Sequence, residues 1–197
     1  MFVEPNIGNQ LLRKAGWVEV VCGSMFSGKT EELIRRLNRA VLAQQHVEIF
    51  KPAVDKRYSE KKVVSHNENA ILSTPVNFAQ DILLRAGECE VVGIDEAQFF
   101  DDQIIHVANQ LANQGKRVIV AGLDMDFQGK PFAPMDQLMA TAEYITKVHA
   151  ICMNCGNIAS YSYRRTKSKK TVVLGEKDVY EALCRKCFYE KMDEKAF

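Results

Sequence analysis

Residues 16–30 restrict the architecture more than any other part of the chain. Gly16-Trp-Val-Glu-Val-Val-Cys22 reads as a buried strand and runs directly into Gly23-Ser24-Met25-Phe26-Ser27-Gly28-Lys29-Thr30. Beyond it, Leu33, Ile34, Leu37, Val41 and Leu42 recur at helical spacing, while Arg35, Arg36 and Arg39 can face outward. Strand, GxxxxGK[ST] loop and amphipathic helix is a combination with a physical meaning. Its glycines permit a tight turn whose backbone N–H groups surround phosphate oxygens, and the helix N-terminus adds partial positive charge. Residues 23–30 therefore predict a nucleoside triphosphate site, with Lys29 reaching the β- and γ-phosphates and the Thr30 hydroxyl on Mg²⁺.

The rest of residues 1–150 repeats the alternation. His46–Pro52 reads as a second strand, 78–85 as a helix, 88–100 as a strand, 102–114 as a helix, 116–124 as a strand, 135–141 as a short helix and 143–150 as a strand. Residues 53–76 are polar and broken, with only Val63-Val-Ser suggesting a strand, and read either as a surface insertion or as a segment closing over a ligand. Alternating strands and helices predict an α/β fold of the P-loop NTPase kind, with a mainly parallel, covered sheet whose order the sequence does not give.

Val91-Val-Gly-Ile-Asp-Glu96 supports the nucleotide site. An apolar strand ending in adjacent carboxylates sets both above the crevice where α/β sheets bind ligands. Asp95 suits hydrated Mg²⁺, and Glu96 suits the base that takes a proton from an attacking oxygen. Water as nucleophile would make an ATPase or GTPase; a bound hydroxyl would make a kinase. No guanine-reading segment follows a suitable strand, and 197 residues leave little chain for a motor, so a small-molecule kinase is favoured.

Beyond residue 150 the pattern changes. Cys152-x2-Cys155 and Cys184-x2-Cys187 are separated by 28 residues. Four thiolates at this spacing predict a closed tetrahedral Zn²⁺ site; two disulfides or an Fe–S cluster are the lesser alternatives. Cys22 and Cys89 sit in apolar contexts and read as core. Between the pairs lie Tyr161, Tyr163, Arg164, Arg165 and the basic run 167–170, and residues 150–197 carry 10 Lys/Arg against 6 Asp/Glu. That local charge keeps an ATP-driven nucleic-acid-binding protein as the alternative. The whole chain, with 26 Lys/Arg against 25 Asp/Glu, argues for neither nucleic acid nor a membrane surface. Without a secretory pattern near its start or a long apolar run, the chain is expected in the cytoplasm.

Taken together, Gly23–Thr30, Asp95-Glu-Ala-Gln-Phe-Phe100, Gly122-Leu-Asp-Met-Asp-Phe-Gln-Gly-Lys-Pro-Phe132 and the cysteine pairs resemble the zinc-containing (type II) thymidine kinase family, from about Trp17 to Phe188. The resemblance implies a RecA-like P-loop domain over 1–150, a zinc-binding and "lasso" domain over 151–190 and a flexible tail over 191–197. It implies transfer of the γ-phosphate of ATP to the 5′-hydroxyl of thymidine or deoxyuridine in nucleotide salvage, by a homotetramer inhibited by thymidine triphosphate. Glu96 would be the base, Asp95 and Thr30 would organise Mg²⁺, Lys29 would stabilise the transferring phosphoryl group, and Arg57 would approach during closure. Met25, Phe99, Leu123, Phe127, Phe132 and Tyr180 would form the deoxynucleoside pocket together with Ser162 and Val172, which belong to a lasso over Tyr161–Val172. On sequence alone, core is the favoured reading of Phe99, Phe127 and Phe132; their place beside strand-end motifs argues for the pocket.

Overall fold

The computed structural model describes residues 16–55, 62–64, 70–166 and 179–196. Arg57, Val172, the basic run 167–170, the strand candidate Thr171–Gly175 and the lasso beyond Thr166 lie outside the described residues, as do residues 1–15.

In chain order the elements are β1 (Trp17–Cys22), α1 (Lys29–Leu42), β2 (Val47–Pro52), β3 (Lys62–Val64), β4 (Ala70–Leu72), β5 (Thr74–Val76), α2 (Gln80–Arg85) and β6 (Val91–Ile94). A short 3-10 turn, Ala97–Phe99, leads to α3 (Gln103–Asn113), β7 (Arg117–Gly122), α4 (Met135–Thr141) and β8 (Tyr144–Lys147). The chain then enters β9 (Ala150–Ile151), β10 (Ile158–Ala159), β11 (Tyr161–Arg164), β12 (Tyr180–Leu183) and α5 (Arg185–Ala196).

Six strands form the main sheet in the order β5-β2-β6-β7-β1-β8, with every neighbouring pair parallel. The period of two along β1 divides its side chains between two layers. Val18, Val20 and Cys22 join Ile82 of α2, Ile104, Val107 and Leu111 of α3 and Met135 and Leu138 of α4 in one apolar core. Val21 faces the opposite way, into a second core with Leu33, Ile34, Leu37 and Ala40 of α1. The sheet is therefore covered by helices on both faces, as its apolar strands require.

Glu19 also faces α1, and its partner corrects the sequence reading. Arg36, expected outward, is fully buried and donates through Nη1 to Glu19 Oε2 at 2.8 Å, while Arg117 Nε donates to Glu19 Oε1 at 2.6 Å. Trp17 Nε1 and Glu32 complete the network. A helical wheel assigns Arg to water by residue type, whereas an acid on the facing strand makes the buried position tolerable. Conversely Val41 and Leu42, expected on the buried face, are 56% and 84% exposed, while Ala40 beside them is fully buried in the core under α1.

Four other readings change. The segment read as a polar insertion supplies a β3–β4 hairpin and the edge strand β5. The expected strand over 88–100 is regular only across Val91–Ile94. The expected strand over 143–150 is divided between β8 in the main sheet and β9, which pairs with β10. Finally, residues 191–196 continue α5 instead of fraying, and Lys191 Nζ reaches Glu181 Oε2 at 2.5 Å.

Candidate active site

The loop between β1 and α1 turns through left-handed backbone at Phe26 (φ 63°) and Gly28 (φ 85°), the residue that caps α1. Such alternation brings successive N–H groups into one concavity. Gly23 is required by close approach: a Cβ there would lie 2.2 Å from the Val148 carbonyl oxygen. Ser27 Oγ and Lys29 Nζ both donate to the Ser24 carbonyl, at 2.7 and 2.8 Å, so the buried lysine folds back along the loop. The result is a concave, positively biased cradle.

Opposite it, β6 is followed at once by Asp95 and Glu96. Asp95 is buried; its Oδ1 accepts from the Glu96 N–H at 3.0 Å and its Oδ2 accepts from the Thr30 hydroxyl at 3.4 Å. Burial pushes its carboxyl up to about 7, and the neighbouring Glu96 charge acts in the same direction. A group so placed favours an incoming cation, and the oxygen-only donors Thr30 and Asp95 suit a hard divalent one.

Glu96 adopts left-handed backbone, φ 51° and ψ 42°, unusual for a residue with a Cβ. Its Oε2 accepts from Gln98 Nε2 at 2.5 Å, and Gln98 Oε1 accepts from the Leu123 N–H at 2.9 Å. Sequence reasoning passed over Gln98. The available signal was a polar residue two positions after the carboxylates, in a stretch otherwise apolar from Ala97 to Phe100.

Of the expected pocket residues, Met25, Phe99 and Leu123 follow the C-terminal ends of β1, β6 and β7, and Phe127 and Phe132 lie in the turn after β7. Met25, Phe99, Leu123, Phe127 and Phe132 are all half-buried, and none belongs to the cores beneath the helices. Phe132 N–H donates to the Asp124 carbonyl, and Asp126 Oδ1 accepts from the Gln128 and Lys130 N–H groups, folding 124–132 into a compact turn. Gly129 allows that turn to lie against Tyr161 and Phe188, whose ring atoms would be 3.1 and 3.2 Å from an added Cβ. The buried Arg164 guanidinium stacks 3.4 Å above the Phe127 ring. A residue read from the sequence only as part of the local basic charge thus packs against a ring expected to line the pocket. Tyr180 is buried opposite Arg164 in the β11–β12 ladder, and Ser162 Oγ accepts from the Met25 N–H of the phosphate loop at 3.0 Å.

Cys152, Cys155, Cys184 and Cys187 bring their sulfur atoms within 4.8 Å of one another, and all six cysteines are free thiols. A tetrahedron with metal–sulfur bonds of about 2.3 Å has sulfur–sulfur edges of about 3.8 Å, so the cluster fits a four-sulfur metal site. Asn154 Nδ2 and Asn157 Nδ2 donate to Cys187 and Cys155 Sγ, at 3.3 and 3.4 Å, as outer partners. Cys22 and Cys89 are buried in the main core, where burial pushes the Cys22 thiol up to about 11.

A family model described as thymidine kinase matches residues 16–188. The chain belongs to the thymidine kinase family. Among thymidine kinases, that of Bacteroides thetaiotaomicron is 59% identical over 194 residues, which cover 98% of this chain and 96% of that protein. That of Rhodothermus sp. is 63% identical over 173 residues, covering 88% and 81%. That of Porphyromonas gingivalis is 57% identical over 186 residues, covering 94% and 90%. Family membership makes the chain a kinase, which resolves the choice between water and a bound hydroxyl as nucleophile. No helix among the described residues is long and apolar enough to cross a membrane.

Proposed function

We propose that the chain transfers the γ-phosphate of ATP to the 5′-hydroxyl of thymidine, and of deoxyuridine, giving the nucleoside monophosphate and ADP. The observation that carries this reading is the placement of Asp95 and Glu96 directly across from Thr30 and the phosphate loop, in a thymidine kinase family chain. Backbone N–H groups of 23–30 cradle the donor phosphates and Lys29 offsets charge on the transferring group. Thr30 and Asp95 hold Mg²⁺, which when bound neutralises charge on the phosphate oxygens. Glu96 accepts the 5′-hydroxyl proton as the oxygen attacks.

Half-burial of Met25, Phe99, Leu123, Phe127 and Phe132 supports a lining rather than a core role, with Ser162, bonded to the Met25 N–H, and Tyr180 proposed beside them. A pocket closed by rings of this size favours a pyrimidine over a purine. Arg57 and Val172 are proposed to complete the site on closure. The four cysteines hold structural Zn²⁺, which fixes both ends of the segment between them. Residues 1–150 act as the nucleotide-binding unit, and 151–190, extended by the helical residues to 196, as the metal-binding one. A cytoplasmic homotetramer subject to feedback by thymidine triphosphate completes the proposal.

Purified protein with Mg-ATP and a nucleoside panel tests it. ADP formation strictly dependent on thymidine, with thymidine monophosphate as product, is expected; stimulation by DNA or RNA and by no nucleoside would sink the reading. Glu96→Gln should keep ATP binding while turnover falls about 10²–10⁴-fold; near-normal turnover would remove Glu96 from the base role.

A further inference from the structure

We propose that Gln98 is a positioning residue for the base, its carboxamide fixing the rotation of the Glu96 carboxylate by bridging it to the end of β7. The inference rests on the reading of Glu96 as the base. Gln98 is only 4% exposed, and a buried carboxamide needs a partner at each end. It has them: Nε2 donates to Glu96 Oε2 at 2.5 Å, and Oε1 accepts from the Leu123 N–H at 2.9 Å.

Chemistry dictates which way round the amide lies. A backbone N–H can only donate, so the atom facing Leu123 is the carbonyl oxygen and the amino group is left for Glu96. The flipped amide would set N–H against N–H and oxygen against a carboxylate oxygen. The backbone of β7, held by strands on both sides, therefore aims a donor at the carboxylate.

Two further features hold this bridge in place. Gly122 has ordinary backbone, but a Cβ there would come within 2.8 Å of Gln98 Oε1 and 2.5 Å of Met135 Sδ. The amide thus occupies space that any other residue at 122 would claim. On the other side, the Glu96 carbonyl accepts from the Phe99 N–H at 3.1 Å, closing the 3-10 turn that brings Gln98 back over Glu96. Left-handed backbone at a non-glycine persists only where the surroundings hold it, and this turn and bridge are part of that hold.

The consequence is orientation. A glutamate has three rotatable bonds, and proton transfer requires its oxygen within hydrogen-bond reach of the acceptor hydroxyl. A carboxylate has about four lone-pair sites, so the bond to Gln98 fixes rotation without exhausting its capacity to accept the 5′-hydroxyl proton. The anchoring N–H belongs to Leu123, whose side chain is proposed to line the nucleoside pocket. Base and pocket wall are thereby registered on one backbone.

Gln98→Met keeps the length and volume of the side chain and removes both hydrogen bonds. Its kcat should fall about 10- to 100-fold, the loss of one hydrogen bond to a charged group, with KM for thymidine and ATP within about two-fold of the parent. Gly122→Ala leaves Gln98 in the chain but displaces its amide, and should lower kcat in the same way; it serves if Gln98→Met does not fold. The decisive reading is a double-mutant cycle: added to Glu96→Gln, Gln98→Met should cost almost nothing further. An unchanged kcat in both variants, a loss confined to KM, or an additive loss on the Glu96→Gln background would each overturn the proposal. Absence of thymidine-dependent turnover in the parent would instead overturn the kinase reading on which it rests.

Discussion

The sheet and the cysteine-bearing segment after it reach order by different means. Two apolar cores flank the sheet, drawn from strands and helices that are separately legible as amphipathic or buried. The segment from Ala150 onward has a single core, in which Cys152, Cys184 and Cys187 stand beside Ala159, Tyr161, Ala182, Leu183 and Phe188. Its strands are two to four residues long, and two of its exposed apolar residues, Ile151 and Ile158, pair directly across β9 and β10. A region this small buries little apolar surface of its own, and the metal proposed for its four cysteines would supply the missing stability. One region is held by area; for the other, ligands to a metal are proposed.

Metal removal should break that contrast most severely. Cys152→Ser, or chelation of the parent, should abolish the metal, lose the near-ultraviolet signal of Tyr161 and Tyr163, and leave ATP binding largely intact. Structural zinc contributes on the order of 10 kcal/mol to small modules. Full metal content in Cys152→Ser would contradict the four-sulfur site.

The corresponding weak point of the sheet is not apolar at all. Glu19→Gln leaves Arg36 and Arg117 buried with a neutral partner and should lower stability in urea by about 3–5 kcal/mol. A loss below about 1 kcal/mol would show that the network is dispensable.

A smaller, pH-dependent effect belongs to Asp95. Its folded carboxyl titrates near 7 against an ordinary 3.8, so the folded state keeps a proton that the unfolded state has released. Stability of the metal-free protein therefore falls as pH rises from about 4 to 7. Asp95→Asn should raise the melting temperature at pH 8 and change it little at pH 4, although it weakens Mg²⁺ binding; equal shifts at both pH values would refute the burial argument. Smallest is Ser162→Ala, which removes the bond to Met25 N–H and should cost about 1 kcal/mol, with a modest rise in KM for thymidine.

What could be read in advance follows the same division. Strand runs at 17–22, 91–94 and 117–122, the glycine loop between β1 and α1 and the cysteine spacing each carry a local pattern, and the strands and the cysteine cluster lie within the expected spans. Arg36, Gln98 and Arg164 were missed because a polar side chain is buried only when a distant segment supplies its partner. Those partners, Glu19, Leu123 and Phe127, are 17, 25 and 37 positions away. β5 was missed for a related reason: Thr-Pro-Val is too short to show a period and gains its identity by pairing with β2. The strand order, which places β7 between the carboxylates and the phosphate loop, is likewise a property of the assembled sheet.

The passage from β8 to β9 has a consequence for how the two regions work together. Val148 still donates to the Cys22 carbonyl at 2.8 Å, at the very lip of the phosphate loop, and β9 begins at Ala150. A single residue, His149, separates the last anchor on the sheet from the first strand of the cysteine segment. Its Nδ1 lies 3.1 Å from Ser160 Oγ. A tether of that length leaves the start of the segment almost no volume to explore, so its effective concentration beside the loop between β1 and α1 stays high.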